Sequence, residues 1–86
     1  MMTERDTRLR RLKMRSWRRG IKEMDLILGQ FWDAHGAALG DAQLDIYERM
    51  LSENDQDLYR WCSGQADVPE QFSDLIADIM QTRDAT

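Results

Sequence analysis

Val68-Pro69-Glu70-Gln71-Phe72-Ser73-Asp74-Leu75-Ile76-Ala77-Asp78-Ile79-Met80 carries the cleanest amphipathic pattern in the chain and decides its fold class. Phe72, Leu75, Ile76, Ile79 and Met80 recur at the three- and four-residue spacing that gathers apolar side chains on one face of an α-helix. Pro69 suits a first helical turn, where its missing N–H costs nothing, and Glu70 complements the positive end of the helix dipole.

Working back from this helix, Gly64 reads as the stop of a helix only about two turns long, begun by Asn54 or Asp55, with Leu58, Trp61 and Cys62 on one face. Before it, Asp41 can cap a helix whose Leu44, Tyr47 and Leu51 form a stripe widened by Ile46 and Met50, ending near Ser52. Ile21, Met24, Leu28, Phe31 and Trp32 predict a further helix, with Gly36 expected to close it in a left-handed cap. Gly29 inside that helix costs about 1 kcal/mol against Ala, which predicts a bend or a close helix contact there. Leu9, Leu12 and Ser16 give a weaker stripe on a first helix that Thr3 can cap. No segment alternates with period two, and β-branched residues are sparse, so no strand is expected. The prediction is an all-α, compact single-domain bundle of about five short helices over 1–86, with a basic N-terminal helix and a turn at Gly20.

Eighty-six residues bury only about 60% of their unfolded surface, which leaves little interior for a substrate cavity and argues against a self-contained enzyme. Hydrophobic residues at 42% and charged residues at 33% suit a folded soluble domain. Cys62 is the only cysteine and His35 the only histidine. An internal disulfide and a zinc site of Cys and His ligands are therefore excluded, and a reducing compartment is expected. The longest apolar stretch, around Met24–Leu28, is far short of the roughly 20 residues of a membrane span. The arginine-rich start contains Glu4 and Asp6 and merges into the first helix, unlike a transit peptide. The chain accordingly reads as complete and cytoplasmic, or as a matrix protein if it is a mature organellar form.

Charge is divided unevenly. Up to Glu23 there are nine basic and three acidic residues, a net of +6, whereas 24–86 hold three basic and thirteen acidic, a net of −10. A basic arm on an acidic body invites partner binding. Its densest point is Arg15, Trp17, Arg18, Arg19, Gly20, Lys22 and Glu23. These can be helix punctuation, with arginines at one helix end, a glutamate in the next first turn and a glycine free to adopt positive φ. They can equally be a presented surface, because Trp and Arg are enriched in binding hot spots. His35 reads as dipole chemistry at a helix C-terminus and Cys62 as a small core residue. Trp61 and Tyr59 read as core packing, since no Gly-rich phosphate loop accompanies them. No catalytic, cofactor-binding or metal-ligating residue is assigned.

The run Trp17-Arg18-Arg19-Gly20-Ile21-Lys22-Glu23-Met24-Asp25, with Leu28 and Phe31 beyond it, resembles the RGxxE signature of the succinate dehydrogenase assembly factors, the SdhE-like flavinylation factors. Leu51, Asp55, Asp57, Leu58 and Trp61 are similar to that family's acidic turn and short Trp-bearing helix, and the likeness runs from about Leu9 to Arg83. Met24, where leucine is common, and Gly29 depart from the pattern without touching the signature. The resemblance implies a five-helix bundle that binds the flavoprotein subunit of succinate dehydrogenase, and in some bacteria of fumarate reductase. It also implies that the bundle promotes covalent attachment of FAD to a histidine of that subunit. FAD then belongs to the partner, and no cofactor is held stably by this chain. Arg15, Trp17, Arg18, Arg19, Gly20 and Glu23 are the expected partner-binding residues. Arg19 would be a bidentate partner for a carboxylate, Gly20 would permit close backbone approach, and Glu23 would pair with a cation across the interface or orient Arg19. A monomer is expected when free, with no membrane insertion.

Two rivals stand beside this reading. The +6 arm would suit phosphates, and helices around a glycine turn can mimic a nucleic-acid-binding module, but a sequence pI near 4.8 is unlike such domains, so no nucleic acid is expected. An interaction domain with another client is the second.

Overall fold

The five expected helices are present in the computed structural model, which describes residues 3–84. They are α1 (Glu4–Trp17), α2 (Lys22–His35), α3 (Asp41–Leu51), α4 (Asp55–Cys62) and α5 (Ser73–Asp84), with 3-10 turns at Gly36–Ala38 and Glu70–Phe72 and no strand among the described residues. Thr3 caps α1 as its sequence predicts. Its hydroxyl accepts the Asp6 N–H at 3.1 Å while the Asp6 carboxylate accepts the Thr3 N–H at 3.2 Å, satisfying two donors that a helix start leaves open. Asn54 caps α4 by accepting the Gln56 N–H at 2.7 Å. Gly64, at φ +77, takes the left-handed conformation that ends α4.

Three details of the expected boundaries are corrected. Gly36 is right-handed, at φ −55 and ψ −47, and leads into a 3-10 turn rather than a left-handed cap. What requires glycine there is space: a Cβ would stand 2.3 Å from Cδ2 of Trp32, whose ring lies against the backbone. Asp41 is the first residue of α3, not its cap, because Gly40 takes that position with its N–H bonded to the Gln43 side chain at 3.0 Å. Pro69 precedes α5 by a 3-10 turn, closed by Phe72 N–H to the Pro69 carbonyl at 2.9 Å, instead of sitting inside a first α-helical turn.

The apolar stripes converge on one core. Leu12, Met24, Leu28, Phe31, Trp32, Leu44, Tyr47, Met50, Leu51, Leu58, Cys62, Phe72, Leu75, Ile76 and Ile79 are all buried in it. Tyr47 is its polar anchor. Its ring stacks 5.9 Å from Phe31, its hydroxyl lies 2.6 Å from Ser16 Oγ, and Ser16 Oγ donates to the Leu12 carbonyl at 2.8 Å. This explains why a serine continues the stripe of α1: each buried polar atom there has a partner, which removes most of the penalty for its burial.

α1 also lies against α3 through charge. Arg5 meets Asp41 at 2.9 Å, Arg8 meets Asp45 at 2.7 Å and Glu48 at 3.2 Å, and Arg11 approaches Glu48 at 3.9 Å. Each exposed pair contributes only about 0 to 1 kcal/mol, but together they neutralise much of the basic arm inside the molecule. The footing of a phosphate-binding arm is correspondingly reduced.

Candidate partner-binding site

The turn between α1 and α2 is fastened from two sides. Arg19 reaches back to the α3–α4 turn, where its Nε donates to Asp55 Oδ1 at 2.7 Å, its Nη1 to the Leu51 carbonyl at 2.7 Å and its Nη2 to the Glu53 carbonyl at 3.1 Å. Leu51 is the last residue of α3, so its carbonyl is one of those a helix end leaves without an intrahelical donor. A guanidinium there also meets the negative end of the helix dipole, while Asp55 sits at the positive end of α4. Asp55 uses its second oxygen to accept the Gly20 N–H, and Asp25 in the first turn of α2 accepts the Arg19 N–H.

Arg19, expected to pair with a carboxylate of another protein, thus pairs with one in its own chain, and its side chain is only 11% exposed. Gly20 does not have positive φ, contrary to one reading of the sequence. A Cβ at Gly20 would stand 3.1 Å from Asp55 Oδ2, so the absence of a side chain lets Asp55 approach without crowding.

The other expected residues face outward. Arg18 and Glu23 are exposed, as is Lys22, and none of the three side chains makes a hydrogen bond or ion pair among the described residues. Glu23 lies in the first turn of α2, where its charge complements the helix dipole and its carboxylate remains open. Arg15 is half-buried and reaches Ser52 Oγ at 3.4 Å. Trp17 lays its ring over Gly29, with Nε1 donating to Asp33 Oδ1 at 3.3 Å, and about a third of it remains exposed. The close contact expected at Gly29 is this one: a Cβ would be 2.4 Å from Trp17 Cδ2.

These residues make a surface with a fixed backbone, two cations and a carboxylate unpaired among the described residues. A concavity of about 490 Å³ lies elsewhere, lined by Phe31, His35, Leu39, Gln43 and Asp78 among others. His35 is exposed at the end of α2, its ring 5.4 Å from that of Phe31. Cys62 is buried, and burial pushes its thiol up to about 11, so it stays protonated at neutral pH and is a poor nucleophile. Trp61 packs 5.8 Å from Phe72, as core packing requires. No helix among the described residues is long and apolar enough to cross a membrane.

Sequence reasoning missed the roles of Asp25 and Asp55, whose partners are 6 and 35 residues away, and left out Met14 and Leu26, which are 48% and 45% exposed. The last two were detectable as large apolar residues lying off the stripes of their helices.

A family model described as flavinator of succinate dehydrogenase matches residues 10–83. A protein of Meyerozyma guilliermondii named succinate dehydrogenase assembly factor 2, mitochondrial, is 39% identical over 84 residues, covering 94% of this chain and 62% of its own. Proteins of the same name from Schizosaccharomyces pombe and Dictyostelium discoideum are 40% and 33% identical, covering 79% and 84% of this chain and 49% and 51% of their own. The chain therefore spans roughly half to six tenths of these relatives' length.

Proposed function

The chain belongs to the family described as flavinator of succinate dehydrogenase, and on that footing we propose that it is an assembly factor for that enzyme. It binds the flavoprotein subunit and promotes covalent attachment of FAD, contributing no catalytic residue of its own. The observation that carries this reading is the open carboxylate of Glu23, with the exposed Arg18 and Lys22 in the same stretch, beside a turn whose backbone Asp25 and Asp55 hold. A surface fixed in advance loses little freedom on binding, so more of its contact energy appears as affinity.

Joining the flavin to a histidine requires a closed flavin pocket, removal of a proton from the reacting methyl group and stabilisation of negative charge on the ring. Positioning dominates such a reaction. A small protein that holds the client's domains together lowers the barrier without entering the bond-making step. Glu23 pairs with a cation of the client, and Arg18 pairs with a carboxylate. The surface used must be open, so binding precedes entry of the flavoprotein into the finished enzyme, in the bacterial cytoplasm or the mitochondrial matrix.

Glu23→Ala tests this. As a mere complement to the α2 dipole, Glu23 would contribute about 0.3 to 1 kcal/mol of stability and nothing to function. As an interface residue, its loss leaves a folded protein that no longer raises covalent flavin on the flavoprotein subunit, read as fluorescence retained on a denaturing gel. Full flavinylation by folded Glu23→Ala would remove Glu23 from the interface. A wild-type chain that fails to recover the flavoprotein subunit from source cells would refute the proposal itself.

A further inference from the structure

Three large hydrophobic residues stand exposed among those described: Met14 at 48%, Trp17 at 36% and Leu26 at 45%. They are not scattered. Trp17 lies across Gly29 of α2, Met14 is one turn before Trp17 on α1, and Leu26 is one turn before Gly29 on α2, spacings that make each a same-face neighbour of a residue in that contact. Leu26 is also one turn after Glu23, which makes the strip continuous with the surface described above. The core does not explain these residues, because the buried stripe of α1 is Leu12 and Ser16 and that of α2 is Met24, Leu28, Phe31 and Trp32.

We infer that the outward face of the α1–α2 pair is a docking strip in which Met14, Trp17 and Leu26 cover an apolar patch of the flavoprotein client, a patch rimmed by carboxylates. This rests on the function proposed above and extends its contact area to residues outside the signature. The charge of the rim selects the partner chemistry. Arg10, Arg18 and Lys22 are exposed and make no ion pair among the described residues, so the strip has an apolar centre beside free cations. Met, Trp and Arg are the residue types concentrated in the cores of protein interfaces. Trp17 is already held, by Gly29 below it and by Asp33 at its Nε1, so it is preorganised for contact. An anionic bilayer would also accept cations beside apolar groups, but the open Glu23 carboxylate opposes it, and three side chains bury too little to anchor a protein.

The test is binding of the purified chain to the isolated flavoprotein subunit, followed by calorimetry or interferometry. Met14→Glu and Leu26→Glu replace exposed side chains, and their folding is checked by circular dichroism. Leu26→Lys removes the apolar contact while adding to the cationic rim, and Ala77→Glu places a charge on the exposed face of α5 as a control. We expect both glutamate variants to weaken binding at least about tenfold, Leu26→Lys to weaken it too, and Ala77→Glu to stay within about twofold of wild type. If the three strip variants bind within about twofold while Glu23→Ala does not, the strip is refuted and the proposed function stands. If wild type does not bind the subunit, both fall. Binding to phosphatidylserine–phosphatidylcholine vesicles that Leu26→Glu abolishes would make this a membrane face and overturn the inference.

Discussion

Arg19 Nε lies 2.7 Å from Asp55 Oδ1, and the two side chains are 11% and 15% exposed. This pair ties the α1–α2 turn to the α3–α4 turn, and it divides the Arg-Gly-x-x-Glu run by partner: the Arg19 side chain and the Gly20 N–H are bonded within the chain, whereas the exposed Glu23 carboxylate is not. With Leu51 and Glu53 also accepting from the guanidinium, removal of Arg19 leaves the largely desolvated Asp55 carboxylate without its cation and two carbonyls without this donor. Arg19→Ala is expected to cost on the order of 3 kcal/mol, a large share of a small domain's stability. Arg19→Lys should recover little, because an ammonium cannot serve three acceptors in the geometry of a guanidinium fork. Denaturant unfolding measures both, and an unchanged midpoint for Arg19→Ala would show that the tether holds nothing.

At Gly20 the effect of a side chain depends on whether Asp55 is there. A Cβ 3.1 Å from Asp55 Oδ2 requires a carboxylate that both the Gly20 N–H and Arg19 hold to give by a few tenths of an ångström. Gly20→Ala should therefore cost about 1 to 3 kcal/mol. In an Asp55→Ala background the obstacle is absent, and the same substitution should be neutral or slightly stabilising through the unfolded chain. A double-mutant cycle reads the coupling directly, and additive effects would mean that the approach of Asp55 is not what requires glycine.

The helices were legible because each carries its own apolar period, and some boundaries because Thr3, Asn54 and Gly64 lie within a few residues of the ends they set. Relations across the fold were not. Nothing near Arg19 announces that its carboxylate is Asp55, and the need for glycine at 36 depends on where the Trp32 ring settles. The basic arm was visible as charge, but its pairing with Asp41, Asp45 and Glu48 requires α1 and α3 to lie side by side. For the same reason the open pair, Arg18 and Glu23, could not be separated from Arg19 and Gly20, which are bonded to Asp55, until the chain was folded.

Alkaline pH should unfold the protein through two buried acids. Burial pushes Tyr47 up from an ordinary 10.0 to about 12, opposed by the hydrogen bond to Ser16, and pushes the Cys62 thiol up from 9.0 to about 11. The folded state therefore holds protons that the unfolded chain releases, so the stabilisation is complete below pH 9 and falls as pH rises towards 12. Each group contributes on the order of 2 kcal/mol to that fall. Stability measured against pH should decline through this window, and Tyr47→Phe and Cys62→Ala should each flatten the slope. A profile level from pH 9 to 12 would contradict the burial of both groups.

Gly29 offers a substitution whose sign should reverse with the residue above it. In an ordinary exposed helix interior, Gly→Ala gains about 1 kcal/mol from backbone entropy. Here the new methyl would stand 2.4 Å from Cδ2 of Trp17, so the ring must leave the helix surface and give up its bond to Asp33. Gly29→Ala is accordingly expected to lower the melting temperature and expose one tryptophan to acrylamide quenching. In a Trp17→Ala background the obstacle is gone, and Gly29→Ala should then recover the helix gain of about 1 kcal/mol. A gain of equal size in both backgrounds would show that the indole does not rest on Gly29, and Trp17 would no longer be a preorganised centre for the outward face of α1 and α2.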